Sequence, residues 1–300
     1  RLYKLIGLEI EALIKEHEET RAKIAEYSDI LEHRSSMAKV IMKELKAFRK
    51  EYARDRRTEL DNLEEAVVVK KELEVSDVVL LMDRFGYMRL IDKNAYERNK
   101  EAAHAENKFI FTCMNTDKIC IFTDMGRMHS IKVADIPLVR FRDKGTPADN
   151  LSNYDSSQEQ ILYVAPVGQV KLSTLLFVTK TSMCKLVAGE EFDVAKRTIA
   201  STKLGEEDQL IFVGPADEME QVVFQSQNGY FLRILKTDVS TMKKTSVGVR
   251  GMKLGDGDVL EHAYLVEPRQ EYTIQYHDKP YALNKVKLAK RDTKGMKPRI

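Results

Sequence analysis

Apolar side chains in the first part of the chain recur in alternating steps of three and four. Tyr3, Ile6, Ile10, Leu13, His17, Thr20, Ile24, Tyr27 and Leu31 fall on one face of a helix, the spacing of a coiled-coil seam. Glu, Lys and Arg fill the opposite face, and Gly7 is the single glycine up to about residue 60, with no Pro. The pattern breaks at Glu32-His33-Arg34-Ser35-Ser36, where the serines are expected to cap a second helix. A second stripe runs through Met37, Ile41, Leu45, Phe48 and Tyr52. One helix is expected to leave a long arm, and the other to pack on a body or on the first. His17 and Thr20 read as polar residues tolerated in the seam rather than as ligands.

Beyond the charged stretch Arg54-Asp55-Arg56-Arg57-Thr58-Glu59 the period changes. Val67-Val68-Val69 and Val78-Val79-Leu80-Leu81 are apolar runs bounded by polar turns, the mark of strands. The change places a domain boundary near residue 62. From there a unit recurs: an apolar strand, a tight turn, then a strand alternating apolar and basic residues. Its copies are Val78–Tyr96, Ile119–Pro137, Leu175–Val194, Val222–Val239 and Tyr272–Leu288, with turns at Gly86, Gly126, Ser182, Gly229 and Lys279. Strand repeats with turns 40, 56, 47 and 50 residues apart indicate a propeller-like ring of blades, four or five of them here. The chain has no Trp, which excludes the Trp-Asp signature of the commonest propellers.

Composition narrows the chemistry. Hydrophobic residues make up 43% and charged residues 32% of 300, a folded protein of about two domains. No apolar run is long enough to span a membrane. Arg1 begins in mid-pattern without an initiator Met, as expected of a fragment. Cys113, Cys120 and Cys184 lie in apolar runs without metal-ligand spacing, so inert buried thiols and a reducing compartment are expected. No zinc or catalytic triad pattern emerges. The glycines of Gly248–Gly257 lack the Gly-Lys-Ser/Thr ending of a phosphate loop and are expected in turns, as are Asp256 and Asp258. Net charge is only +2, but residues 279–300 carry 8 basic residues against Asp292 alone. A basic tail on a mildly acidic body is a polyanion-binding signature.

Several segments then resemble one family in order and spacing. Arg1-Leu2-Tyr3-Lys4-Leu5-Ile6-Gly7-Leu8-Glu9, Lys23-Ile24-Ala25-Glu26 with Leu31, and Asp55-Arg56-Arg57-Thr58-Glu59 resemble the coiled-coil arm and arm-to-body junction of the A subunit of bacterial type IIA DNA topoisomerases, gyrase and topoisomerase IV. Phe122-Thr123-Asp124-Met125-Gly126-Arg127, Lys144-Gly145-Thr146-Pro147 with Asn150-Leu151, and Gly248-Val249-Arg250-Gly251-Met252-Lys253-Leu254-Gly255 are similar to its C-terminal segments. The resemblance implies an α plus all-β chain: a helical coiled-coil arm over residues 1–62, then a β-pinwheel over 63–300, in which blades exchange strands. As partners it implies double-stranded DNA, a second A subunit (forming a homodimer) and an ATP-binding B subunit, in the bacterial cytoplasm at the nucleoid. ATP and magnesium would serve other regions of the intact isomerase, with no cofactor or metal in this chain.

Two departures refine that expectation. The family's catalytic tyrosine follows an Arg, and none of the twelve tyrosines here does. Gyrase carries a Gln-Arg-Arg-Gly-Gly-Lys-Gly box after the first blade's tyrosine, where this chain has Tyr96-Glu97-Arg98-Asn99-Lys100-Glu101-Ala102-Ala103. The loss favours a topoisomerase IV-like role, decatenation and relaxation, over gyrase-type wrapping and negative supercoiling; a protein-interaction propeller is the reading outside nucleic acids.

The repeat places Arg84, Arg89, Arg127, Lys132, Lys185, Arg233, Lys285 and Lys287 at or beyond the turns. Period-2 alternation puts them on the outer rim. Arg140, Arg142, Lys144, Lys243, Lys244, Arg250 and Lys253 extend the path through loops, and Lys290, Arg291 and Lys294 lie on a tail expected to be flexible. Such cations would grip phosphates without reading bases.

Overall fold

The computed structural model describes residues 2–54 and 75–298, apart from the side chains of residues 2–8. The boundary expected near residue 62 and the Val67–Val69 run lie outside the described residues. The chain divides into two compact units, Arg1–Lys70 and Lys71–Ile300.

The first unit holds helices α1 (Leu2–Glu32) and α2 (Arg34–Tyr52). The break is at His33, whose extended backbone (φ −115°, ψ 112°) caps α2 without a side-chain hydrogen bond. The serines expected to cap it lie inside the helix instead. Neither stripe is buried: Ile10, Leu13, Ile24, Tyr27 and Leu31 on α1, and Met37, Ile41, Leu45, Phe48 and Tyr52 on α2, are exposed. His17 and Thr20 are exposed too, and the Thr20 hydroxyl donates to the Glu16 carbonyl at 2.7 Å. The expected packing of the second helix on the first is therefore not formed by these stripes.

The second unit is a succession of antiparallel hairpins. The first pairs β1 (Asp77–Asp83) with β2 (Tyr87–Asp92); helices α3 (Lys93–Arg98) and α4 (Lys100–Glu106) lead to β3 (Asn107–Met114). The second pairs β4 (Lys118–Thr123) with β5 (Arg127–Lys132), followed by a two-residue strand β6 (Thr146–Pro147), a helical turn α5 (Ala148–Leu151), β7 (Ile161–Pro166) and α6 (Val167–Leu172). The third pairs β8 (Thr174–Thr179) with β9 (Met183–Ala188), followed by β10 (Thr198–Ala200) and β11 (Leu210–Pro215). The fourth pairs β12 (Gln221–Ser226) with β13 (Phe231–Leu235), followed by β14 (Val249–Arg250) and β15 (Leu260–Val266); the fifth is β16 (Thr273–Tyr276) with β17 (Lys279–Ala282).

The sheet orders are β3-β1-β2-β6, β10-β5-β4-β7 and β11-β8-β9-β14. Each hairpin thus has a third strand on one side. Its other edge is covered by a short strand that arrives after the next hairpin in sequence: β6 on the first, β10 on the second, β14 on the third. The fourth hairpin is closed in the same way by Met296, whose amide and carbonyl both bond Phe231. Strand exchange blunts the sheet edges that would otherwise remain unpaired.

Left-handed backbone marks the turns at Gly86, Gly126, Ser182 and Gly229. The fifth turn falls on His277 and Asp278 (φ 50° and 59°), rather than on Lys279, which begins β17. Hairpins stack face to face. Val78, Leu80 and Met82 pack with Ile119, Ile121 and Ile131. Cys120, Phe122 and Met128 pack with Leu175, Phe177 and Val187, and Leu176 and Val178 with Val222 and Phe224. Val223 and Phe231 meet Ile274, Tyr276 and Tyr281. The remaining face of the first hairpin, Val79, Leu81 and Ile91, is covered by Ala103 of α4 and Tyr96 of α3. All three cysteines are buried, and burial pushes their thiols up, Cys113 to about 11 and Cys120 and Cys184 to about 12. Unreactive thiols follow.

Candidate nucleic-acid interface

The covering strands arrive through loops, and these loops carry the exposed cations. Before β6 stand Arg140, Arg142 and Lys144, and before β14 stand Lys243 and the half-buried Lys244. Before the Met296 bridge stand Lys287, Lys290, Lys294 and the half-buried Arg291. These three loops are built alike. Leu138, Thr241 and Leu288 each form a parallel bridge to the second strand of the hairpin whose edge the loop closes, at Leu90, Leu186 and Arg233. Each loop ends on a glycine pressed against that strand. A Cβ at Gly145 would lie 2.2 Å from the Met88 carbonyl oxygen, at Gly248 2.7 Å from that of Cys184, and at Gly295 2.4 Å from that of Phe231. The missing side chain lets a basic loop run flush along the outer edge of the blade.

Before β10 the loop is shorter and lacks the glycine, but Lys196 and Arg197 stand there, both exposed. The sequence reading missed these two. The signal for them was a Lys-Arg pair directly ahead of a covering strand, the place Lys144 holds before β6. Aromatic rings support two of the loops at equivalent points: Lys144 lies 5.7 Å from the Tyr87 ring centroid, and Lys294 and Lys297 each lie 4.8 Å from that of Tyr230. Arg84, Lys132, Lys253 and Lys285 are also exposed. Arg250 is exposed but paired with Asp292 at 3.1 Å. Residues expected to form a flexible tail instead form the fourth closing edge, with Ala289 bonded to Arg233, Asp292 to Gly251 and Thr293 to Lys253. The described part of that segment is built into the blade.

The rim expectation fails for three strand residues. Arg89 is 7% exposed and stacks 5.9 Å from the Phe141 ring. Lys185 is 1% exposed; its ammonium donates to the carbonyls of Lys243, Lys244 and Ser246 at 3.2, 2.8 and 2.7 Å. Burial pushes that ammonium down to about 8, with Glu191 acting the other way. Arg233 is half-buried, and burial lowers its guanidinium below the usual arginine value. The physical reason is that the blades are covered on both faces, so strand alternation no longer separates inside from outside.

Arg127 keeps an exposed position but spends its charge on Glu159 at 2.8 Å. Glu159 itself is buried and also accepts from Thr123 at 2.6 Å and meets His129 Nε2 at 3.1 Å. Burial pushes the Glu159 carboxyl up; the hydrogen bonds of Thr123 and His129, the His129 charge and Arg127 outweigh this and hold it below the usual value. Asp258 serves a turn, accepting from the amides of Asn228 and Val259. Among the described residues no cluster of three His, Cys, Asp or Glu could hold a metal, and no helix is long and apolar enough to cross a membrane.

The family model described as DNA gyrase C-terminal domain, beta-propeller, matches residues 117–156, 173–217 and 220–267, one match for each of the second, third and fourth hairpins. The chain is 27% identical over 270 residues to the DNA gyrase A subunit of Deinococcus deserti, covering 86% of this chain and 33% of that protein. It is 27% identical over 270 residues to the DNA topoisomerase 4 A subunit of Bacillus subtilis, with the same two shares. The chain thus spans about a third of the length of the curated relatives it matches. In fold it is similar to the C-terminal domain of DNA topoisomerase IV, with a TM-score of 0.67 at 23% identity over 75% of this chain and 73% of that one. The E. coli ParC C-terminal domain follows with 0.60 at 15% identity, over 74% and 94%. The repeated hairpins, their exchanged edge strands and these matches agree: the second to fourth hairpins match the DNA gyrase C-terminal β-propeller model, and the chain is similar to the C-terminal region of DNA gyrase and topoisomerase IV A subunits.

Proposed function

We propose that this chain is the duplex-guiding part of a topoisomerase IV-like A subunit, holding DNA along its blade edges for an intact enzyme that relaxes and decatenates by ATP-dependent strand passage. The observation that carries this reading is the recurrence of exposed cations in the loops ahead of four successive edge-closing segments. Cations spaced along a rim suit phosphates and need no base contact. In the intact enzyme the partners would be a second A subunit (forming a homodimer) and an ATP-binding B subunit; the setting would be the bacterial cytoplasm. Strand scission and ATP hydrolysis would belong to other regions.

The topoisomerase IV-like reading rests on the stretch after Tyr96. Where gyrase has its glycine-rich basic box, this chain has α3 and α4, and α4 seats Ala103 against Val79, Leu81 and Ile91. That segment acts as cover for a blade rather than as a free basic loop.

Ligation of nicked circular plasmid in the presence of this chain, at several salt concentrations, tests both parts. Salt-sensitive binding with no change in linking number is the expected result. A salt-sensitive linking shift would overturn the topoisomerase IV-like reading in favour of gyrase-type wrapping. Absence of binding at low salt would overturn the DNA-rim reading itself.

A further inference from the structure

Lys185 occupies a recurring slot. In the first three hairpins the second ladder pair from the turn holds Arg89 (with Leu81), His129 (with Ile121) and Lys185 (with Phe177). All three are buried, and each touches the segment that closes its own blade edge. Arg89 stacks on Phe141 in the loop before β6. His129 Nδ1 lies 3.1 Å from the Thr198 hydroxyl on β10. Lys185 reaches the loop before β14 and meets three of its carbonyls, those of Lys243, Lys244 and Ser246.

The third case is the most complete. An ammonium has three donors and no acceptor, and here all three have carbonyl partners on one loop. Those partners include the two residues that bear its cations. The same loop is fixed from its other side by Glu191, which accepts from the Lys244 amide at 2.8 Å, while the Lys244 ammonium donates to the Glu191 carbonyl at 2.8 Å. The Phe177 ring closes the slot at 5.7 Å from the Lys185 ammonium. A buried cation anchored this way fixes the backbone between the exposed Lys243 and the half-buried Lys244 without touching what they touch.

We propose that Lys185 is the positioning residue of the 243–246 loop, and that its ammonium sets Lys243 and Lys244 in place against the DNA backbone. This rests on the reading of the rim as a duplex-binding surface. Lys185 makes no phosphate contact itself, yet its loss should remove the contacts of the loop it holds. Each lost phosphate contact lowers the salt slope of binding by roughly one.

The test compares duplex binding against salt for the whole chain, its Lys185→Met variant, a Lys243→Ala/Lys244→Ala variant and the triple combination, with thermal melting as a check on folding. The expected result is that Lys185→Met lowers the salt slope by about as much as the loop variant, roughly one to two. The triple variant should lose no more. An unchanged slope in a folded Lys185→Met protein, or additive losses in the triple variant, would overturn the proposal. Failure of the unmodified chain to bind would instead overturn the rim reading beneath it.

A second arm needs no change at Lys185. Glu191 is the charged side chain acting on its ammonium, which burial holds near the pH range where it gives up a donor proton. Raising the pH from 7 to 9.5 should weaken duplex binding several-fold more in the unmodified chain than in the Lys243→Ala/Lys244→Ala variant. Equal weakening in both would overturn the proposal even if Lys185→Met does not fold.

Discussion

Each of the first four blades carries basic residues in two places: on the second strand of the hairpin, and in the loop that brings in the closing edge. Arg89 and Lys185 on the strands are buried, whereas Arg140, Arg142, Lys144, Lys196, Arg197, Lys243 and Lys290 in the loops are exposed. The two sets look alike in the sequence but carry opposite energetic signs. A buried cation costs desolvation, offset at Lys185 by three carbonyls and at Arg89 by the Phe141 ring and Glu106 at 4.0 Å. An exposed cation costs little and is free to exchange counterions for phosphate. Structure and binding are thereby separated between strand and loop in the first and third blades.

The separation breaks most clearly if loop cations are removed. Combining Arg140→Ala, Arg142→Ala, Lys144→Ala, Lys243→Ala and Lys290→Ala should lower the salt slope of duplex binding by about four. Low-salt affinity should fall at least about a hundred-fold, with the urea midpoint almost unchanged. Fluorescence anisotropy across salt and urea melts read both quantities. A large loss of stability would show that the loops are structural after all.

The converse change is Glu159→Ala, which strips the partner from buried His129 and Thr123. Removing one side of a buried pair typically costs about 3 kcal/mol, and urea unfolding should show it while duplex affinity of the folded protein holds. Acid should reveal the same group. The Glu159 carboxyl is held below its ordinary 4.5 in the folded chain. Its contribution is therefore present above that value and lost as pH falls through the depressed one. Unmodified protein should lose stability over that window, and the variant should lose less.

Gly145→Ala probes the line where the two sets meet. A Cβ there would press on the Met88 carbonyl, so the loop must lift or the strand must shift. About 2 kcal/mol of stability and part of the duplex affinity should go together. Arg127→Gln should do least. Its guanidinium is half-exposed and engaged with Glu159, and such pairs contribute within about 1 kcal/mol.

Much of this architecture was legible in the residues. Gly86, Gly126 and Gly229 marked three turns, because few other residues adopt that backbone without strain. The apolar runs before them marked first strands. The fifth turn was misplaced by one or two residues because His277 and Asp278 adopt left-handed backbone without a glycine to announce it. What the residues did not disclose was which cations face water. Alternation sorts side chains only when one face of a sheet is wet, and Met183–Ala188 is buried on both faces along most of its length. The short edge strands were equally hidden: Thr146–Pro147 and Val249–Arg250 are two residues each, too brief to show any period. Lys196 and Arg197 went unnoticed for that reason, and the chain after Lys279 read as a tail although Met296 closes a blade. On the helices the stripes were correctly placed, yet all the seam residues described there remain exposed.

Lysine footprinting on the unmodified chain tests the separation most directly. Lysines are methylated with and without duplex DNA at low salt, and protection is read residue by residue by mass spectrometry. Lys144, Lys196, Lys243, Lys290 and Lys294 should be protected by DNA, while Lys171, paired with Asp193, should react equally in both states. Protection confined to other lysines, or none at a salt concentration where DNA is bound, would contradict the assignment of duplex binding to the blade-edge loops.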